Sequence, residues 1–334
     1  MWSKEVKRNK EIDIARGIGT LLVTLGHSMY INKYFKEWIY SFHMPLFFFI
    51  SGYLFNYDKY KDNYKLFLKK KIKSFIIPYI LLALFIWFIL FLFDYKFILT
   101  EEAKNRFIGI FIGFRLSKYY FCLWFVLVLF FIENIFYFLI KYLKRYLYCI
   151  AIFMFTISYF EFKYINGFIY SIDLIPISLF FFITGYLFKR DFYKFSCKIN
   201  KYLKLCLSFI FLVIGYCFAH LNSVYHGLIN IYDCNIGNPI YYFVAAFSGV
   251  FCVYLFSYGI RKCNILEDLG KNTLIIYAFQ NPIVFPIAYY FIDCLSLHSK
   301  NINFLISIIL ALPLLRLIAY LIDKYIPVMS GKSK

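Results

Sequence analysis

The stretch Glu11–Ile31, EIDIARGIGTLLVTLGHSMYI, has the length and apolar content of a membrane-crossing helix, yet it carries Asp13, Arg16, Thr20, Thr24 and His27. At about 100° per residue these five positions fall within about 60° of Asp13, whereas Ile14, Ile18, Leu21, Leu22 and Leu25 point elsewhere. A charged side chain in hydrocarbon costs at least about 2.5–3.5 kcal/mol and normally faces a protein interior or a water-filled cavity. The stripe therefore reads as one wall of a polar tunnel. Arg16 and His27 are nearly in phase and about 16 Å apart along the axis. One can hold a charged group near one face while the other works deep inside.

The rest of the chain agrees with a membrane setting. Of 334 residues, 62% are hydrophobic, 24% aromatic and only 16% charged, more apolar than a soluble domain. Apolar runs of helical length recur near 12–31, 38–56, 74–93, 119–140, 146–160, 168–188, 205–220, 240–260, 272–292 and 303–322. They predict an all-α polytopic membrane protein with about ten spans. A β-barrel would need strands of about 10 residues alternating in polarity, which unbroken runs of this length exclude. The first run has no small-residue cleavage site and holds Arg16, so it does not read as a removable signal peptide. No linker or soluble-sized block interrupts the spans, and 1–334 reads as one membrane domain.

The net charge of +19 is arranged by loop. The amino terminus and every second loop thereafter hold 26 of the 37 Lys and Arg, the opposite loops nine, and Arg16 and Arg316 lie within spans. The positive-inside rule places both termini in the cytoplasm, which suits an even number of spans. The basic excess is thus topology and contact with anionic lipid, not nucleic acid. The nine cysteines form no CxxC pair and no His/Cys grouping of metal-ligand spacing, so neither disulfide nor metal is expected.

Several polar residues within or beside spans are candidates for chemistry. His27 ends the stripe of the first helix, and imidazole is the commonest general base near neutrality. His43, expected at the start of the second helix with Pro45 in its first turn, is a second acid/base, an acceptor contact or an interfacial residue. Arg16 suits phosphate recognition, with Asp13 at i−3 able to pair with it. Arg316, about two turns from the basic end of the last span, either joins Arg16 around an anion or snorkels. Asp173 holds an acceptor hydroxyl or sits in headgroup water, and Gln280-Asn281-Pro282 makes a polar break in the ninth helix. The run Lys69-Lys70-Lys71-Ile72-Lys73 reads as a headgroup feature or a lure for a polyphosphate. Phe47–Phe55, FFFISGYLF, and Phe180–Phe188, FFFITGYLF, are near-identical 133 residues apart, compatible with a parallel repeat whose glycines permit close helix contact. No phosphate-binding loop, serine-hydrolase elbow, HExxH or DxD pair is present.

These residues resemble the acyltransferase-3 superfamily of integral membrane acyltransferases, particularly its fucose-4-O-acetylase-like branch. The resemblance rests on Ile12-Asp13-Ile14-Ala15-Arg16-Gly17, the ten-residue gap from Arg16 to His27, Phe42-His43-Met44-Pro45 through Leu54, Ile77-Pro78-Tyr79, Leu123-Trp124-Phe125, the block from Asp173 to Gly185-Tyr186, and Gly270-Lys271-Asn272-Thr273 through Tyr277. It implies ten helices in the inner or plasma membrane, acetyl-CoA as acyl donor from the cytoplasm, and transfer to a hydroxyl of a cell-surface saccharide or its lipid-linked precursor. Arg16 and His27 would be the essential pair, with His43 assisting. Arg16, Thr20, Thr24 and Arg316 would face the donor; Asp13, Trp124, Asp173 and Gln280 would face the acceptor. Gln280 departs from the His expected in many relatives. A polar tunnel of this kind would also suit a transporter or flippase, with Arg16 and His27 as gating residues. The sequence leaves the oligomeric state open.

Overall fold

The computed structural model describes residues 9–93, 100–112, 123–164, 171–296 and 298–332. Residues 119–122 and 168–170, where two of the expected spans begin, lie outside this set. Among the described residues the regular structure is helical, apart from an isolated bridge between Asn230 and Asn235.

Asn9 caps α1 (Lys10–His27), its side-chain oxygen accepting from the Ile12 amide at 3.1 Å. Glu11 and Asp13 occupy the first turn, where the helix dipole favours acids. Asn32 caps α2 (Lys33–Leu54) in the same way, so α2 starts earlier than its apolar run suggests. His43 and Pro45 therefore lie in the middle of α2, not in its first turn. The opening turn Lys33–Glu37 is too polar to register as part of a span.

By length and composition seven helical segments can cross a bilayer. One of them, Trp124–Phe162, has 39 residues, about 58 Å of helix against a hydrocarbon core of about 30 Å. It breaks at the 3-10 turn Lys144–Tyr146 into α6 (Trp124–Leu143) and α7 (Leu147–Tyr164). The others are α3 (Tyr64–Lys71) running through a π-helical turn into α4 (Ile77–Phe93), α8 (Ile175–Leu187) with its π-helical extension into α9 (Tyr193–Lys198), α10 (Lys201–His226), α11 (Pro239–Ile260), the pair α13 (Thr273–Phe279) and α14 (Phe285–Cys294), and α15 (Lys300–Tyr325). Among the described residues α1 and α2 also have the length to cross but are too polar to count among the seven. α2 is the central post, with 16 of its 22 residues buried. Two shorter helices escaped the periodicity: α5 (Glu101–Ile112), and α12 (Asn264–Lys271) between α11 and α13.

Two close crossings organise the bundle. At the first, α1 lies against α12: a Cβ on Gly17 would fall 1.9 Å from the Leu266 carbonyl oxygen, and one on Gly270 2.0 Å from that of Asp13. At the second, the repeated segments pack against each other reciprocally. A Cβ on Gly52 of α2 would meet the Phe182 carbonyl oxygen at 1.8 Å, and one on Gly185 of α8 the Phe49 oxygen at 1.9 Å. Both helices finish at the same basic cavity, lined by Asn56 and Asp58 after α2 and by Lys189 and Arg190 after α8. They thus run in the same direction, as the repeat predicts.

Candidate functional site

Two cavities lie end to end beside α1 and α2. The first, about 160 Å³, is reached from the side of the molecule where the chain ends. Arg16 of α1 and Lys271 of α12 supply positive charge, and Ser51, Ser74, Thr273 and Ser330 supply hydroxyls. Its mouth is bordered by the C-terminal segment: Gly331 approaches Ser74, and Lys332 donates to the Asn272 side chain at 2.8 Å while pairing with Asp323. Cations and hydroxyls with few acids describe an anion-accepting chamber.

The second cavity, about 250 Å³, opens from the opposite end of the bundle. His27, His43, Tyr40, Trp124 and Asn281 line it, with Asn230, Tyr232 and Asp233 from the connection between α10 and α11. The ring of His27 is held through Nδ1, which lies 3.2 Å from the Asn281 amide nitrogen and 3.4 Å from the Tyr40 hydroxyl. An amide nitrogen only donates, so Nδ1 is the acceptor and neutral His27 carries its proton on Nε2. His43 is the reverse. Its Nδ1 donates to the Ile39 carbonyl at 2.9 Å, which leaves the lone pair on Nε2.

Met44 and Tyr277 line both cavities. Both are nearly buried, and the Tyr277 hydroxyl lies 3.6 Å from Met44 Sδ. The consecutive residues Trp124 and Phe125 at the start of α6 are divided between the chambers, Trp124 to the histidine side and Phe125 to the cationic side.

The remaining sequence candidates are placed as follows. Thr20 bonds to Thr273 at 2.9 Å and Thr24 to the Gln280 side-chain oxygen at 3.1 Å. These bonds tie α1 to the α13–α14 helix, and neither threonine is among the residues lining the chambers. Gln280 is fully buried behind Asn281, so the polar break contributes its second residue to the cavity; the π-helical turn Gln280–Val284 alters the phase that a regular helix would have. Asp13 is buried at the α1–α12 crossing. Arg316 does not join Arg16. It pairs with Asp268 at 2.8 Å with its side chain 58% exposed, because α12 puts a carboxylate in its reach, and Lys271 is the second cation at Arg16's chamber. Asp173 is buried beside Cys234, whose thiol donates to it at 3.4 Å, and it does not line the histidine chamber. Within the lysine run, Lys71 turns inward to pair with buried Glu133 of α6.

Sequence reasoning named neither Tyr40, Lys271 nor Tyr277 as a site residue. Asn281 was legible as a polar residue in a span; the other three owe their place to packing.

The fold and site thus define an all-helical membrane protein with a cationic chamber and a histidine chamber in series. A family model described as an acyltransferase domain matches residues 9–324, and the chain belongs to that family, acyltransferase 3. The match does not single out a branch of the family. Comparison with curated proteins and with solved structures returned no match.

Proposed function

We propose that this membrane acyltransferase moves an acetyl group from acetyl-CoA, entering at the cationic chamber from the cytoplasm, to a hydroxyl of a sugar in a cell-surface polysaccharide or its lipid-linked precursor. The observation that carries this reading is the serial placement of the two chambers, with Arg16 and Lys271 in one and His27 and His43 in the other. Charge counts put the cationic mouth on the cytoplasmic side, where the phosphates of a CoA thioester would meet Arg16 and Lys271. The pantetheine arm then runs along α1, over the roughly 16 Å that separate Arg16 from His27.

At the far end the two imidazoles have complementary bonding. Nε2 of His43 accepts the proton of the acceptor hydroxyl as its oxygen attacks the thioester carbonyl carbon. Nε2–H of His27 donates to the carbonyl oxygen as negative charge develops there. The C–S bond breaks, and the thiolate leaves with the proton carried by His43, giving free thiol and an O-acyl ester. Acid–base assistance of this kind is worth about 10²–10⁴-fold.

The test is incubation of purified protein in nanodiscs with acetyl-CoA labelled on the acetyl group, with and without extracted cell-envelope glycans, comparing wild type with His27→Ala and Arg16→Ala. The expected outcome is label on a glycan with wild type, loss of about 100-fold or more in kcat with His27→Ala, and a predominantly raised KM for acetyl-CoA with Arg16→Ala. Acetyl-CoA left unconsumed by wild type across a broad acceptor panel would reject acyl transfer and favour transport through the same cavities.

A further inference from the structure

Met44 and Tyr277 are the shared wall of the two chambers. We infer that this pair forms a closed constriction through which the acyl group must pass, and that its bulk sets the acyl chain length the enzyme accepts; the chain-length part rests on the acyl-transfer reading above. The hydroxyl of Tyr277 meets the thioether of Met44 at 3.6 Å, so the two side chains touch where the chambers adjoin. Phe125 supports Tyr277 from the cationic side, with ring centroids 6.1 Å apart. Trp124 continues the wall on the histidine side.

The chemistry of the pair suits a barrier that yields. Methionine is unbranched, with three rotatable bonds, and fills irregular space adaptably. A thioether is a weak acceptor, so little holds the hydroxyl to it. Tyr277 is the less mobile half: it sits on α13, one turn before the π-helical segment Gln280–Val284, with its ring packed against Phe125. A thioester arm arriving from the cationic chamber therefore displaces Met44 to bring its carbonyl to the histidines. Beyond the constriction, the acyl chain shares about 250 Å³ with the acceptor hydroxyl and its sugar. Each added methylene must find room in that space or remain wedged at Met44.

Two measurements on the full-length protein test the pair. The first compares acetyl-, butyryl- and hexanoyl-CoA as donors, following thiol release with acceptor extract present. Met44→Ala is expected to raise the butyryl-to-acetyl ratio of kcat/KM about tenfold, the low end of what methylene-sized changes achieve in apolar pockets. The volume-conserving Met44→Leu should leave the ratio within about twofold. An unchanged ratio in Met44→Ala, with acetyl transfer retained, would overturn the selectivity. The second needs no turnover. Ser51→Cys places a thiol in the cationic chamber; a membrane-impermeant maleimide is applied to vesicles of either orientation, and modification of the peptide that carries the new thiol is read by mass spectrometry. Labelling from the basic face alone, becoming two-sided when Met44→Ala or Tyr277→Ala is added, supports the constriction. Two-sided labelling with both residues intact overturns it. If wild type consumes no acyl-CoA, acyl transfer and chain selection fail together, while the labelling still decides whether the pair closes the passage.

Discussion

His27 and His43 came from the sequence by different routes and acquire different tasks from their neighbours. His27 was legible because it ends a polar stripe on an otherwise apolar helix. Its proton position was not, because that depends on Asn281, 254 positions away, and on Tyr40. His43 looked like a helix-start residue, and the cap at Asn32 buries it instead in the middle of α2. The tautomers yield a sharp prediction. Asn281→Asp replaces a donor by a carboxylate that only accepts, so Nδ1 of His27 must carry the proton and Nε2 loses it. A fall of about 10-fold or more in kcat, with little change in the KM for acetyl-CoA, is expected if His27 acts as a donor. Retained or raised kcat would instead assign the base to His27. Arg316 teaches the converse. Its depth in the span resembled that of Arg16, and only the α12 helix, too short to show as a span, explains why it is tied to Asp268.

Helix positions were readable because apolar length is a strong signal in a membrane, where backbone groups must be satisfied within the segment. Helix ends and interruptions were not. The π-helical turn Gln280–Val284 falls at the polar break that the sequence shows, but those at Ile72–Ile76 and Phe188–Phe192 lie among basic residues that mark a helix end and not an extra residue in the turn. The repeated FFFISGYLF and FFFITGYLF segments were visible as words, but their mutual contact was not. That contact makes Gly52 and Gly185 testable. A methyl group at either would sit within 2 Å of a carbonyl oxygen of the partner helix, where backbone, not a flexible side-chain tip, has to give way. Gly52→Ala and Gly185→Ala are each expected to destabilise the protein by about 1–3 kcal/mol, seen as a lowered unfolding temperature in detergent. Gly227→Ala is the comparison: its φ is +74° but nothing lies within 4 Å of a new Cβ. With ψ at −165° it lies in a region essentially reserved for glycine, so it should cost about 1–3 kcal/mol through backbone strain alone, with no steric clash.

At the scale of the molecule, the outer helices are the most apolar and the central ones the most polar. α4 and α15 belong to the segments with the highest mean hydropathy and bury only 28% of their spans within the protein, whereas α2 is nearly enclosed. The count of seven omits α1 and α2 because of their polar residues and takes α6 and α7 as one segment, so the two helices that line most of the candidate site are those that least resemble membrane spans. Their polarity also bears on how the chain is made. α1 holds Lys10, Glu11, Asp13 and Arg16, and its close partner α12 lies more than 230 residues later in the chain. At roughly 5–20 residues per second, synthesis leaves about 10–50 s during which Gly17 has no Leu266 to lie against. Nascent chains truncated before Asn264 are expected to hold α1 in the bilayer incompletely, so that a cysteine placed in it reacts with an aqueous thiol reagent; chains extended through Lys271 should protect it. The glycine-to-backbone crossing that closes the finished bundle is, during biosynthesis, a deadline: α1 is made long before α12 and is sheltered only when that helix arrives.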